Sequence, residues 1–295
     1  MRFPVSGVET SPLVPLLAAF GVSTFTSLGG VAGGLILVPF QVSVLGFAGP
    51  SVNPTNHLFN VLAIPLGVYR HLREGRMLWP LTATILAGSI PGVILGSLGR
   101  IYLMPEATRF KGFVALVLVL LGARMLLRRR RGPGPGAPPP AFGGPVRVVR
   151  FTPRVLEYEH ANESCRVSVP RLAALTLAVG VLGGAYGLGG GALIAPFLVS
   201  VFGLPVHSIA GAALMGTCAT SSVAVLFFAA SPALLGKAAA LPDYPLGALF
   251  GLGGMAGIYL GARLQRRVAP RPIEGLLGLV CLALATFYGV ELARR

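Results

Sequence analysis

Polar residues along this chain are gathered into short clusters, and the stretches between them are apolar for much of a bilayer's width. A helix crossing a membrane needs about 20 such residues. The first apolar stretch, Leu13–Leu45, is interrupted by glycines at Gly29–Gly34. Its arms, Leu13–Leu28 and Leu35–Leu45, read as a hairpin dipping into the membrane or as two short tilted helices. Further spans are predicted at Asn53–Tyr69, Leu78–Leu98 and Phe113–Leu127. After a polar middle the pattern returns as Leu172–Phe202 (interrupted at Gly187–Gly191), Ile209–Ala230, Tyr244–Leu260 and Pro272–Val290. The middle opens with Arg128–Arg131, continues through a Gly/Pro-rich run from Pro133 to Pro145, and alternates apolar with polar residues over Val146–Val169. Alternation of that kind predicts a short water-exposed β-hairpin. The expected organisation is a first membrane repeat at 11–127, a basic cytoplasmic linker at 128–170 and a second membrane repeat at 171–291.

Composition agrees with the pattern. Of 295 residues, 54% are hydrophobic and 11% charged, with a mean hydropathy of +0.78. Soluble domains carry about 25% charged residues, so the surface of this chain is not built for water. The net charge of +15 would suggest nucleic acid in a soluble protein. Here the basic residues stand in loops between apolar runs, where they set orientation, and no nucleic-acid partner is expected. Cys165, Cys218 and Cys281 have no metal-like spacing; they read as free thiols, and no metal or other cofactor is expected. With one arginine and no clear small-residue cleavage site before the first apolar stretch, no cleavable signal peptide is expected.

The two glycine interruptions match. Gly30, Gly33, Gly34, Pro39 and Phe40 fall on Gly187, Gly190, Gly191, Pro196 and Phe197 with a constant offset of 157. Downstream, Trp79-Pro80-Leu81 matches Tyr244-Pro245-Leu246, and Gly88, Gly92 and Gly96 match Gly253, Gly257 and Gly261. Small residues every four positions let helix backbones approach closely in lipid. Paired broken segments in corresponding halves point to a transporter's substrate site. At such a break, backbone N–H groups lose helical partners that lipid cannot replace, and a helix N-terminus suits an anion. The alternative is that the glycines only permit close packing.

The helix after each break carries the polar groups. Asn56 and Asn60 share one face, as do Thr217 and Ser221, and His57 lies within the same span as the asparagines. With Gly33, Gly34, Gly190 and Gly191, these residues are the expected anion-binding set; helix–helix hydrogen bonding is their alternative role. Arg70, Arg73 and Arg76 would concentrate anions at the cytoplasmic mouth or serve only as topology signals. No Asp or Glu falls mid-span, although coupled transporters usually display one. Facilitated export is the simpler expectation. The spans also lack a carboxylate pair, an H-E-x-x-H motif or a Ser-His-Asp set, so no enzyme is expected.

Three loops are rich in arginine: Arg70–Arg76, Arg124–Arg171 and Arg263–Arg271. Placing all three in the cytoplasm gives the halves opposite orientations. The fold class expected is therefore an all-α polytopic membrane protein with two inverted-topology repeats. Each repeat is a glycine-broken helical hairpin followed by three transmembrane helices.

Gly187-Leu188-Gly189-Gly190-Gly191 through Pro196, its half-one counterpart and the turns at Arg73–Trp79 and Leu241–Tyr244 resemble the TauE/SafE (TSUP) family of sulfite exporters. The resemblance covers both membrane halves and departs at Val31-Ala32. It implies a multi-pass transporter of the bacterial inner membrane, exporting sulfite, thiosulfate or organosulfonates. Its partners would be the lipid bilayer and a small inorganic or organic sulfur anion, and a homodimer is compatible with the sequence. Two other readings stay open: an anion channel on the same scaffold, and a non-transporting membrane subunit or scaffold passing sulfur species to a cytoplasmic enzyme.

Overall fold

The computed structural model describes all residues except 29–32, 76, 131–146, 161–162, 205, 237–239, 265–269 and 295. Among the described residues eleven helices stand six before and five after the strands, the extra one created by a proline. Helices α1 (Leu13–Leu28) and α2 (Gly34–Ser43) are the arms of the first hairpin. The predicted span Asn53–Tyr69 is split into α3 (Val52–Ala63) and α4 (Pro65–Arg73). The cause is Pro65, whose missing N–H breaks the backbone ladder, although Ile64 before it keeps helical angles of φ −89° and ψ −29°. Next come α5 (Trp79–Tyr102) and α6 (Ala107–Arg130). The second half repeats the order with α7 (Val169–Tyr186), α8 (Gly190–Val201), α9 (Val206–Leu235), α10 (Tyr244–Leu264) and α11 (Pro270–Ala293). Among the described residues six helices (α5, α6, α7, α9, α10 and α11) are long and apolar enough to cross a membrane; α1 and α2 are apolar but shorter.

Among the described residues between the halves stand three strands rather than two, β1 (Arg147–Phe151), β2 (Val155–His160) and β3 (Glu163–Ser168), in one antiparallel sheet of order β1-β2-β3. The register shifts between Val148 and Arg150, and that bulge interrupts the alternation of β1. Nor is the sheet wholly water-exposed. Leu156, Tyr158 and Val167 face the helices and join the main core, and Tyr158 Oη lies 3.0 Å from Ser208 Oγ on α9.

Glycine spacing fixes how the halves interlock. Along α5, side chains at Gly88, Gly92 and Gly96 would run into Ala173, Leu177 and Val181 of α7. Along α10, side chains at Gly253, Gly257 and Gly261 would run into Leu16, Phe20 and Ser27 of α1. Numbers rise together in both crossings, so each pair is parallel, and each joins the first helix of one half to the fourth of the other. Helices α6 and α11 run antiparallel, with Gly112 by Leu292 and Leu126 by Gly278. Close approach of this kind trades side-chain burial for backbone contact. The outer faces carry exposed Leu17, Leu95, Leu120, Leu226, Leu252 and Leu279, an apolar belt that suits lipid.

The first ten residues fold back as a turn with Phe3 and Val8 buried. Asp243, fully buried before α10, accepts from the Val5 and Ser6 amides at 3.2 and 2.8 Å and from Ser6 Oγ at 2.8 Å. It also accepts from the Leu246 amide at 3.2 Å. Its own amide donates to Thr55 Oγ1 at 2.9 Å. The N-terminal turn is thereby tied to both α10 and α3.

Candidate functional site

The second break is built on two glycines that no other residue replaces easily. Gly187 ends α7 with φ +94° and Gly189 precedes α8 with φ +73°, in the left-handed region where a Cβ is strained. The last carbonyls of α7 are left without helical partners, and α3 supplies them. Asn53 Nδ2 donates to the Gly184 and Ala185 carbonyls, each at 2.7 Å. Asn56 Nδ2 donates to the Gly187 carbonyl at 2.8 Å and reaches the Gly34 carbonyl at 3.5 Å. Asn60 Nδ2 donates to the Leu188 carbonyl at 3.1 Å. The three asparagines fall on one face of α3 because their spacing is that of a helical stripe.

The two breaks meet here. A Cβ on Gly34 would stand 3.1 Å from Leu188 and 2.9 Å from Asn56 Nδ2. Tyr186 Oη donates to the Leu35 carbonyl at 2.8 Å. Gln41 Nε2 lies 3.4 Å from Asn56 Oδ1. Helix α9 closes the other side. Ser221 Oγ is 3.2 Å from His57 Nδ1 and 3.3 Å from Asn60 Nδ2. The Gly190 amide, first of α8, donates to Thr220 Oγ1 at 3.0 Å. Asn53, Asn56, His57, Asn60, Thr217, Thr220 and Ser221 are all buried. The cluster is polar but carries no fixed charge from these residues, so it can offer hydrogen bonds without a countercharge.

Of the residues expected from sequence, the structure gathers Gly34, Asn56, His57, Asn60, Gly190, Gly191, Thr217 and Ser221 around this meeting point. Gly33 lies one step away, against Ser23 and Phe59. Gly191 sits where α8 crosses α9, and a side chain there would strike the Ala213 carbonyl and Thr217. Thr217 Oγ1 turns back to the Ala213 carbonyl at 2.9 Å. Arg70 and Arg73 are exposed at the end of α4, with Arg70 Nε 2.8 Å from Glu74; Arg76, Gly29 and Gly30 lie outside the described residues. The binding set expected from sequence left out Asn53 and Thr220, polar groups of the same two helices, as well as Gln41 and Tyr186. Asn53 was within reach, being three positions before Asn56 on the same face. Tyr186 and Gln41 gave no local sign, since their partners come from other helices.

A helical body with six candidate spans, an apolar outer belt and two breaks meeting in a polar interior defines a multi-pass integral membrane protein. A sequence model of the sulfite exporter TauE/SafE family matches residues 15–288. The chain belongs to that family of membrane transporters. It is 24% identical over 280 residues to the probable membrane transporter protein YjnA of Bacillus subtilis (strain 168), covering 90% of this chain and 95% of that one. No solved structure matches.

Proposed function

We propose that this protein exports small sulfur-containing anions (sulfite, thiosulfate or organosulfonates) through a midplane site between the two glycine breaks. The observation that carries this reading is the meeting of Gly34 with Leu188 around Asn56, Asn60 and Ser221. Broken helices that converge from two repeats are where transporters hold substrate. The family description supports the substrate class.

The repeats are read as inverted. Consecutive spans joined by short connections cross in opposite directions, so α5 opposes α6 and α10 opposes α11. With α1 parallel to α10, α7 parallel to α5 and α6 antiparallel to α11, α1 and α7 then point opposite ways. The same directions bring the Arg70–Arg73 end of α4, the end of α6 and the end of α10 to one side. Basic loops face the cytoplasm, so Arg70, Arg73 and Arg76 would gather anions at the entry. Alternating access then needs the internal bonds of the break to exchange with bonds to the anion.

The test is flux in proteoliposomes loaded with sulfite, thiosulfate, sulfate or a sulfonate. Saturable efflux of a sulfur anion is expected, and Gly190→Leu should abolish it while the protein still inserts. A Cβ at Gly190 would already stand 2.6 Å from Ser89 Cβ. Wild-type flux in that variant, or efflux that never saturates, would remove the site from this place.

A further inference from the structure

Ser221 Oγ has two hydrogen-bonding neighbours, His57 Nδ1 at 3.2 Å and Asn60 Nδ2 at 3.3 Å. The Asn60 amide nitrogen only donates. One of its hydrogens goes to the Leu188 carbonyl at 3.1 Å. The other points to Ser221 Oγ at 3.3 Å, with the Gly187 carbonyl a longer neighbour at 3.4 Å that also takes Asn56 at 2.8 Å. A buried hydroxyl must also place its own proton, and the acceptor open to Ser221 is His57 Nδ1. Nδ1 therefore carries no hydrogen, and the ring proton of the neutral imidazole sits on Nε2.

Among the described residues His57 Nε2 is buried and has no hydrogen-bond partner. The Gly184 carbonyl stands beside the ring and also accepts from Asn53 Nδ2 at 2.7 Å, and no well-formed hydrogen bond joins it to Nε2. The other donors of the cluster are engaged. Asn53 and Asn56 give theirs to carbonyls, Asn60 gives its own to the Leu188 carbonyl and to Ser221, and Thr217 and Thr220 turn back to their own helix at 2.9 and 2.6 Å. Gln41 Oε1 and Asn53 Oδ1 also lack partners, yet they only accept and would repel an anion. Ser23 Oγ, unpartnered too, belongs to the first break beside Gly33.

We propose that His57 Nε2–H is the donor that receives an oxygen of the transported anion, as a neutral imidazole held in one tautomer by Ser221 and Asn60. This rests on the export reading above. Ser221 and Asn60 are positioning residues, and the ligand class is a small oxyanion with an oxygen to accept one neutral hydrogen bond.

Two measurements on the full-length protein decide it. The first is nitrogen NMR of protein carrying 15N-histidine, with His57→Gln used to assign the resonance among the four histidines. A proton on Nε2 and none on Nδ1 is expected before any ligand is added, with the Nε2–H signal moving when sulfite is titrated in. A proton on Nδ1, or on both nitrogens, overturns the inference whatever the protein transports. The second compares His57→Gln, whose amide nitrogen overlays Nε2, with His57→Asn, whose amide overlays Nδ1, in protein that elutes as wild type on size exclusion. Flux in His57→Asn should fall at least about tenfold below His57→Gln, as expected for losing one hydrogen bond to a charged ligand. Equal flux in the two variants overturns it. If no sulfur anion moves even in wild type, the export reading fails while the tautomer measurement still stands.

Discussion

Gly187 and Gly191 lie four residues apart and are glycine for different reasons. Gly187 needs its left-handed backbone, φ +94°, and a Cβ there would also stand 3.0 Å from the Asn53 carbonyl. Gly191 has ordinary helical geometry but no room against α9. Gly236 has φ +62° and nothing within 4 Å, which isolates the backbone term of about 1–2 kcal/mol. Gly236→Ala is therefore expected to be the mildest of three alanine substitutions in thermal melts in detergent. Gly191→Ala should cost about 1–3 kcal/mol through overpacking, and Gly187→Ala should exceed Gly236→Ala by the added contact. A ranking with Gly236→Ala worst would contradict these assignments. At this scale the duplicated glycines and the asparagine face were legible in sequence, because spacing alone puts Asn56 and Asn60 together. What each amide bonds to was not. The sequence suggests free N–H groups at the breaks, whereas the Gly190 amide is held by Thr220 from α9, a partner fixed only by how helices cross.

Among the elements, the interrupted hairpins and later spans were readable from hydropathy and glycine. The split of α3 from α4 was signalled by Pro65 but hidden by the continuous apolar run around it. The alternation over Val146–Val169 signalled a hairpin, and the third strand, β3, was the one not foreseen. The sheet also offers a pH test outside the spans. Burial holds the Tyr158 phenol above its usual value of 10.0, with the bond to Ser208 opposing that shift. An unfolded chain releases this proton as pH passes about 10, while the folded sheet keeps it. The stabilisation is thus full below pH 10 and declines as pH rises beyond it. Melting temperatures recorded from pH 9 upward should fall more steeply in wild type than in Tyr158→Phe. Identical slopes would place the phenol in water. Between helices, Gly92→Leu should prevent folding, since Gly92 faces the Leu177 carbonyl and Gly180 of α7. A monodisperse, fully active Gly92→Leu protein would show that α5 and α7 do not touch.

Over the whole molecule, duplication was visible as an offset of 157 positions at the breaks and 165 after an eight-residue insertion, but the partner of each helix was not. Gly253, Gly257 and Gly261 announce a close neighbour without saying that it is α1. The orientation is open to cysteine labelling in a chain with Cys165, Cys218 and Cys281 replaced by alanine. Glu74→Cys should react with impermeant maleimide only from the cytoplasmic side, and Pro242→Cys only from the other. Labelling of both from one side would mean the halves are not inverted.

The crossing of α1 with α10 also bears on how the protein is made. Roughly two hundred residues separate Leu28 from Tyr244, and ribosomes add about 5–20 per second. For tens of seconds, then, the first helix waits in the membrane with Ser23, Thr24 and Ser27 facing a place its mate has not yet reached. A nascent chain arrested before Tyr244 should remain a client of the insertion machinery, and only release of α10 should let the amino-terminal helix leave it.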